Sequence, residues 1–224
     1  MAYLEEIKNL ETWCQDNNLL LNISKTKELI VDFSTKQERN YQPLIISGTP
    51  VERVDSFWYL GVHITQDLSW SCHINTLVKK ARQCLYHLRR LKDFKLPSKM
   101  LKTFYTCTIE SILTGSITAW FGNSTKQDRR ALQRVLQSAK RTIRAELPDL
   151  ETIYNKQCWP KARKIMKDPS HPNNSLFSLL RSGKRFHSLK ANTERMKRSF
   201  FLQAIRALNQ NTEPGLSGLF SGLP

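Results

Sequence analysis

The sequence predicts an α+β chain in which a short α/β segment precedes a basic, mainly helical remainder. Two patterns carry that prediction. Between residues 19 and 64 the apolar runs are short, β-branched or aromatic, and broken by turn residues; after Asp67 apolar positions recur at helical spacing. The charge changes in the same direction. Residues 1–56 hold six basic and nine acidic side chains, whereas residues 77–105, 126–144 and 156–206 carry net charges of +8, +6 and +11.

Taken in order, Leu4, Ile7, Leu10 and Cys14 follow helical spacing, so residues 3–17 read as an amphipathic helix that Asn17-Asn18 ends. Leu29 to Phe33 is a β-rich run. Leu44–Ile46 and Val51–Val54 flank Ser47-Gly48-Thr49-Pro50, the composition of a hairpin with Gly in its turn. Phe57 to Ile64 is a further β-like run, rich in aromatics. Beyond Asp67, Leu77, Val78, Ala81, Cys84, Leu85, Leu88 and Leu91 share one face of a long helix. Pro97 suits the first turn of the next helix, whose buried stripe reads as Met100, Leu101, Phe104, Tyr105, Thr108 and Ile112. Gly115 and Gly122 interrupt it. Thr125 followed by Asp128 resembles a helix start, and Leu132, Val135, Leu136, Ala139 and Ile143 continue a third helix that Pro148 closes. From Cys158 the periodicity weakens; Asp168 to Pro172 is turn chemistry, Met196–Leu208 a short helix, and 209–224 a disordered tail. The expected divisions are 1–68, 69–147, 148–208 and 209–224.

Composition narrows the function. At 224 residues with 40% hydrophobic side chains, the chain can bury a core. A formal charge of +16 points to a polyanionic partner, RNA or DNA, since no apolar run is long enough to span a bilayer. The acidic, amphipathic start is neither a signal nor a transit peptide, so an intracellular setting, nucleus or cytoplasm, is expected. Five scattered cysteines (Cys14, Cys72, Cys84, Cys107, Cys158) never form Cys-x-x-Cys and read as reduced thiols. Cys72-His73 and the Cys84/His87 pair read as ordinary packing, since a structural zinc site needs four well-spaced ligands. No metal or other cofactor is expected.

The candidate site residues are cations. On a helical wheel, Lys79, Arg82, Arg89 and Arg90 fall within about 100° of one another, away from the apolar face. Arg129, Arg130 and Arg134 belong to the second basic segment, and Arg163 and Lys164 to the third.

Several strings in sequence carry a resemblance. Trp13-Cys14-Gln15-Asp16-Asn17-Asn18-Leu19, Lys25-Thr26-Lys27-Glu28 and Val31-Asp32-Phe33 are similar to the segment after the catalytic aspartates in reverse transcriptases of non-LTR retrotransposons, LINE elements of the CR1/L2 type. Phe57-Trp58-Tyr59-Leu60-Gly61-Val62-His63-Ile64 resembles their primer-grip hairpin. Cys107 to Gly115 and Ala119 to Asn123 resemble their thumb, and Cys158 to Arg185 resembles the segment C-terminal to that thumb. The resemblance spans about residues 3–208. It implies a palm remnant, a helical thumb-like bundle and a basic helical C-terminal extension. It gives Lys25 or Lys27 the palm-lysine role and sets Phe57, Tyr59, Leu60 and Gly61 against a primer backbone.

The same resemblance implies a fragment without catalysis. The polymerase holds two magnesium ions on carboxylates, a pair of them adjacent, and no Asp-Asp occurs here. In that family the fingers and most of the palm precede the segment matched by Met1, so the missing half of a related element is a candidate partner. Residues 146–190 also resemble a short N-terminal domain of AlkB-like tRNA-modifying proteins, which join a dioxygenase to a methyltransferase. The His-x-Asp start of an iron triad and a glycine-rich cofactor loop are both absent from the sequence. A translated relic without selected function is the third alternative.

Overall fold

A computed structural model describes residues 2–33 and 41–210, which fall into two units, Met1–Trp70 and Ser71–Pro224. Together they contain helices and short strands, an α+β chain. The expected disordered tail lies outside the described residues, apart from Asn209 and Gln210, which end a helix.

The first unit begins with α1 (Ala2–Asp16), which closes at Asn18 in the left-handed region, φ 53°. Its buried stripe is narrower than the sequence suggests: Cys14 is buried and Ile7 half-buried, but Leu4 and Leu10 are exposed. Four of the strands are only two residues long. β1 (Lys27–Glu28) runs parallel to β4 (Glu52–Arg53), and β2 (Ile45–Ile46) antiparallel to β3 (Thr49–Pro50). The expected strand at Leu29–Phe33 does not form. Lys27 and Glu28 pair instead because their charges match those across the ladder: Lys27 Nζ donates to Glu52, and Arg53 Nε donates to Glu28 Oε2 at 2.8 Å. The β2–β3 turn is Ser47-Gly48, both at positive φ, the backbone of a tight hairpin. Glu11 of α1 accepts from Ser47 N and Oγ at 2.8 and 2.7 Å, which ties helix to hairpin over a core of Leu44, Ile46 and Val51. The aromatic run is a second hairpin, β5 (Ser56–Tyr59) and β6 (Val62–Thr65), turning at Leu60-Gly61.

The second unit is helical. α2 (Ser71–Asp93) buries Ile74, Leu77, Val78, Ala81, Leu85 and Leu88, close to the face expected. After Pro97 come α3 (Ser98–Tyr105), a π turn (Thr106–Glu110) and α4 (Ser111–Thr114). The π turn corrects the expected stripe. Met100 is exposed and Phe104, Thr108 and Ile112 half-buried; the fully buried side of the segment is Leu101, Tyr105, Ile109 and Leu113, each four residues apart. A wider turn advances the buried face by four residues rather than 3.6. α5 (Ile117–Trp120) buries Trp120, whose Nε1 donates to Gly115 O at 3.0 Å.

The capping box at Thr125 and Asp128 starts α6 (Lys126–Ile143), as its spacing suggested. The Asp128 carboxylate also accepts from Ser71 Oγ at 2.9 Å, and Arg89 on α2 bonds Ser138 on α6 at 2.9 Å, so the two helices run in the same direction. The next helix, α7 (Leu150–Lys167), has Pro160 inside it; residue spacing picks out no helix there, and only the resemblance implies a helical extension. The expected helix at 196–208 is two pieces, α8 (Glu194–Lys197) and α9 (Phe200–Gln210). α9 packs Ala204, Ile205 and Leu208 with Ala162 and Ile165 of α7, over Phe177 and Phe186.

Candidate nucleic-acid interface

Because α2 and α6 pack side by side in parallel, side chains seven residues apart on each helix face one another across the seam. Arg82 and Arg89 on α2 meet Arg134 and Arg141 on α6 around a groove of about 460 Å³. Its floor is apolar, made by buried Leu85 and Val135, and no carboxylate of the described residues lines it. Arg89 Nη2 donates to Ser138 Oγ at 2.9 Å, and no acid of the described residues pairs with the rest of its fork. Four guanidinium groups that line one groove with no acid of the described residues among them have the donor geometry to hold an anion with several oxygens.

A second opening, about 710 Å³, lies where both helices begin and is lined by Lys126, Arg130 and Arg134. Here Asp128 adds a carboxylate, but its oxygen accepts from Thr125 N, Thr125 Oγ1 and Ser71 Oγ at 3.0, 2.7 and 2.9 Å. Arg134 borders both openings, which makes one cationic path along α6.

The remaining expected cations take different places. Lys79 is exposed on the arc of α2; Arg90 is exposed too, 3.9 Å from Asp93, with its guanidinium 5.9 Å from the Phe94 ring. Arg129 belongs to the fold: half-buried, it donates to Ser124 Oγ, Phe121 O and Gly122 O at 3.1, 3.1 and 3.3 Å and covers the Phe121 ring at 4.6 Å. With those donors engaged it fixes the loop ahead of α6. Arg163 and Lys164 are exposed on α7 and edge a hollow of about 540 Å³ with Lys167, Trp159 and Asp168. The Ser170 hydroxyl and backbone N–H hold the Asp168 carboxyl below the usual carboxylate range.

In the first unit, Lys25 is exposed in a turn closed by Asn22, whereas the Lys27 amine is engaged by Glu52 and by Ser24 O at 3.2 Å. Tyr59 is exposed at the β5–β6 tip with Trp58 and Leu60; Phe57 is less so. None of these aromatics is a core residue.

Sequence reasoning did not select Arg141 or Ser138. The seven-residue step from Arg134 to Arg141 was visible, but its meaning depends on α2 lying alongside. Among the described residues no group of three His, Cys, Asp or Glu side chains is placed to hold a metal. All five cysteines are free thiols, and burial pushes the Cys158 thiol up. No helix among the described residues is long and apolar enough to cross a membrane.

Against this geometry, one family matches part of the chain: "Alkylated DNA repair protein alkB homolog 8, N-terminal", over residues 70–111. That span contains α2, α3 and the π turn, and less than a fifth of the chain. The sequence reading placed its AlkB likeness at 146–190, so the position is corrected: the match falls on the helix that carries Lys79, Arg82, Arg89 and Arg90. No curated protein and no solved structure matches the chain.

Proposed function

We propose that residues 71–210 form a non-catalytic module that grips the phosphate backbone of RNA or DNA without reading its sequence. The observation that carries the proposal is the groove of Arg82, Arg89, Arg134 and Arg141, four cations facing one space with no carboxylate of the described residues beside them. Such a surface neutralises phosphates and releases their counterions, which makes affinity depend on charge and salt rather than on base identity. The order of family-like strings in the sequence supports assigning this unit to the thumb-like bundle and C-terminal extension of a non-LTR reverse transcriptase. On the same reading, the 2–70 unit is a palm remnant with a primer-grip hairpin, whose partner is the fingers and palm half of a related element.

The match over 70–111 favours a second reading, a helical module that accompanies an alkylated-DNA repair protein of the alkB type. Both readings place nucleic acid against α2. They differ in origin, not in the surface used.

Fluorescence anisotropy with labelled oligonucleotides tests the proposal. All four groove arginines are exposed, so Arg82→Glu, Arg89→Glu, Arg134→Glu and Arg141→Glu together should leave the helical circular dichroism intact. With each lost duplex phosphate contact worth about 0.9 in the slope of log K against log salt, that slope should flatten by about 3–4. Binding by the quadruple variant with an unchanged slope would refute the groove as the contact surface.

A further inference from the structure

The basic arc of α2 is not purely basic. Tyr86 stands at its centre: Arg82 precedes it by four residues, Arg89 and Arg90 come three and four after it, and Lys79 lies seven before. At those spacings all four cations are surface neighbours of the ring or lie two turns along the same face. The tyrosine is 60% exposed and is the one large hydrophobic side chain that α2 presents to solvent. The His87 ring stands edge-on to it, 5.5 Å between centroids and 74° between planes, which braces one side and leaves a face open. A ring bordered by cations that reach toward α6 (Arg82, Arg89) and toward Asp93 and the exposed Phe94 (Arg90) is a poor protein-docking surface, since Tyr86 and Phe94, eight residues apart, make no contiguous apolar centre such as those interfaces have. It fits a ligand that offers phosphates and flat apolar faces together.

Resting on the proposed nucleic-acid reading, we infer that Tyr86 is a base-stacking platform and that this arc is built for a single strand. In a duplex the bases are stacked on one another and their faces are closed to a ring outside the helix. In a single strand a base turns out and lies on the tyrosine while its flanking phosphates meet Arg82 on one side and Arg89 and Arg90 on the other. Arg82 and Arg90 are separated by about 12 Å along the axis, with Tyr86 midway. Such stacking is tolerant of sequence because every base has a π face, and the flanking charges supply strong salt dependence.

The test uses the full chain and three labelled probes of matched length: oligothymidine, an abasic oligomer with the same phosphates, and a duplex. Tyr86→Ala should weaken oligothymidine binding by about 5- to 150-fold, the range for one stacked base, and leave abasic and duplex binding unchanged. Tyr86→Phe and Tyr86→Trp should keep oligothymidine affinity near that of the unaltered chain. Equal losses on all three probes would make Tyr86 a structural residue, and no loss on any would make it a bystander; either overturns the inference while leaving the groove proposal standing. Displacement of oligothymidine by polyglutamate of equal charge as effectively as by unlabelled oligothymidine would also overturn it. Failure of the unaltered chain to bind any of the three would instead remove the nucleic-acid reading itself.

Discussion

Gly122 is the position where a single methyl group tests how the C-terminal helices are held. A Cβ built there lies 2.3 Å from the Arg198 carbonyl oxygen and 3.1 Å from the Tyr154 hydroxyl. Ordinary carbon–oxygen contact begins near 3.4 Å, so the Arg198 carbonyl must recede by about 1 Å in Gly122→Ala. That carbonyl is main chain between α8 and α9, so it cannot rotate away as a side chain would. Two responses compete. α9 can leave α7 altogether, at a cost of burying Ala204, Ile205 and Leu208 no longer; two such aliphatic side chains at roughly 1.5–3 kcal/mol each come to about 3–6 kcal/mol. Alternatively the contact stays and is strained, which overpacking data put at about 1–3 kcal/mol. Strain is the smaller cost, so α9 should remain docked. Gly122→Ala should lose about 2 kcal/mol in urea unfolding with an unchanged m value, and roughly 4–8 °C in Tm. Hydrogen exchange should quicken in the 196–208 amides. Gly115 supplies the contrast: its nearest neighbour is the Ser111 carbonyl at 3.4 Å and its φ is −56°, so Gly115→Ala should be neutral or slightly stabilising. Equal stability for Gly122→Ala and the unaltered chain would refute the close approach and the docking of 194–210 argued from it.

Two other outcomes rest on the same packing. Asp128→Ala removes the carboxylate half of the α6 capping box and the bond from Ser71, while the Thr125 cap to the backbone N–H of residue 128 stays, and should cost about 2–3 kcal/mol by chemical unfolding; a loss below about 0.5 kcal/mol would show that the two helix starts are not tied through this carboxylate. Limited proteolysis should cut the 2–70 unit first, near the exposed Leu19-Leu20, because Leu44, Ile46 and Val51 are a small core and its ladders are short; a first resistant fragment that retains residues 2–70 would contradict this.

The legible parts of the sequence divide from the hidden ones along physical lines. α2 was readable because large aliphatic residues mark its inner face turn after turn, and the start of α6 because Thr125 and Asp128 satisfy each other's orphan backbone donors. α7 was hidden although Leu150, Tyr154, Cys158, Ala162 and Ile165 recur at helical steps. Cys and Ala are weak apolar markers, and Pro160 reads as a breaker; in the structure it is exposed and the helix continues past it. The run Leu29 to Phe33 has the right residues for a strand, but a strand needs a partner, and the charged pairs drew the ladder to Lys27 and Glu28. The wheel found Lys79, Arg82, Arg89 and Arg90 on one arc, yet only packing shows that Arg82 and Arg89 turn toward α6 and that Arg129 is claimed by backbone carbonyls.

The placement of acids argues that this charge pattern is organised rather than merely abundant. α2 and α6 together carry twelve Lys and Arg and only two acids, Asp93 and Asp128. Both acids sit at helix ends: Asp128 completes the capping box that starts α6, and Asp93 ends α2 beside Arg90. A surface helix selected only for solubility would intersperse Glu four residues before Lys or Arg, each such pair stabilising it by about 0.2–0.5 kcal/mol. Neither helix does so. Like charges on adjacent helices repel instead, a cost of similar size per pair that burial of Leu85, Val135 and their neighbours must offset. A polyanion lying along the seam would turn that repulsion into attraction, and its binding to the folded form alone would add stability by mass action. The same rows that cost stability in the free chain are therefore the rows that a phosphate backbone would make favourable.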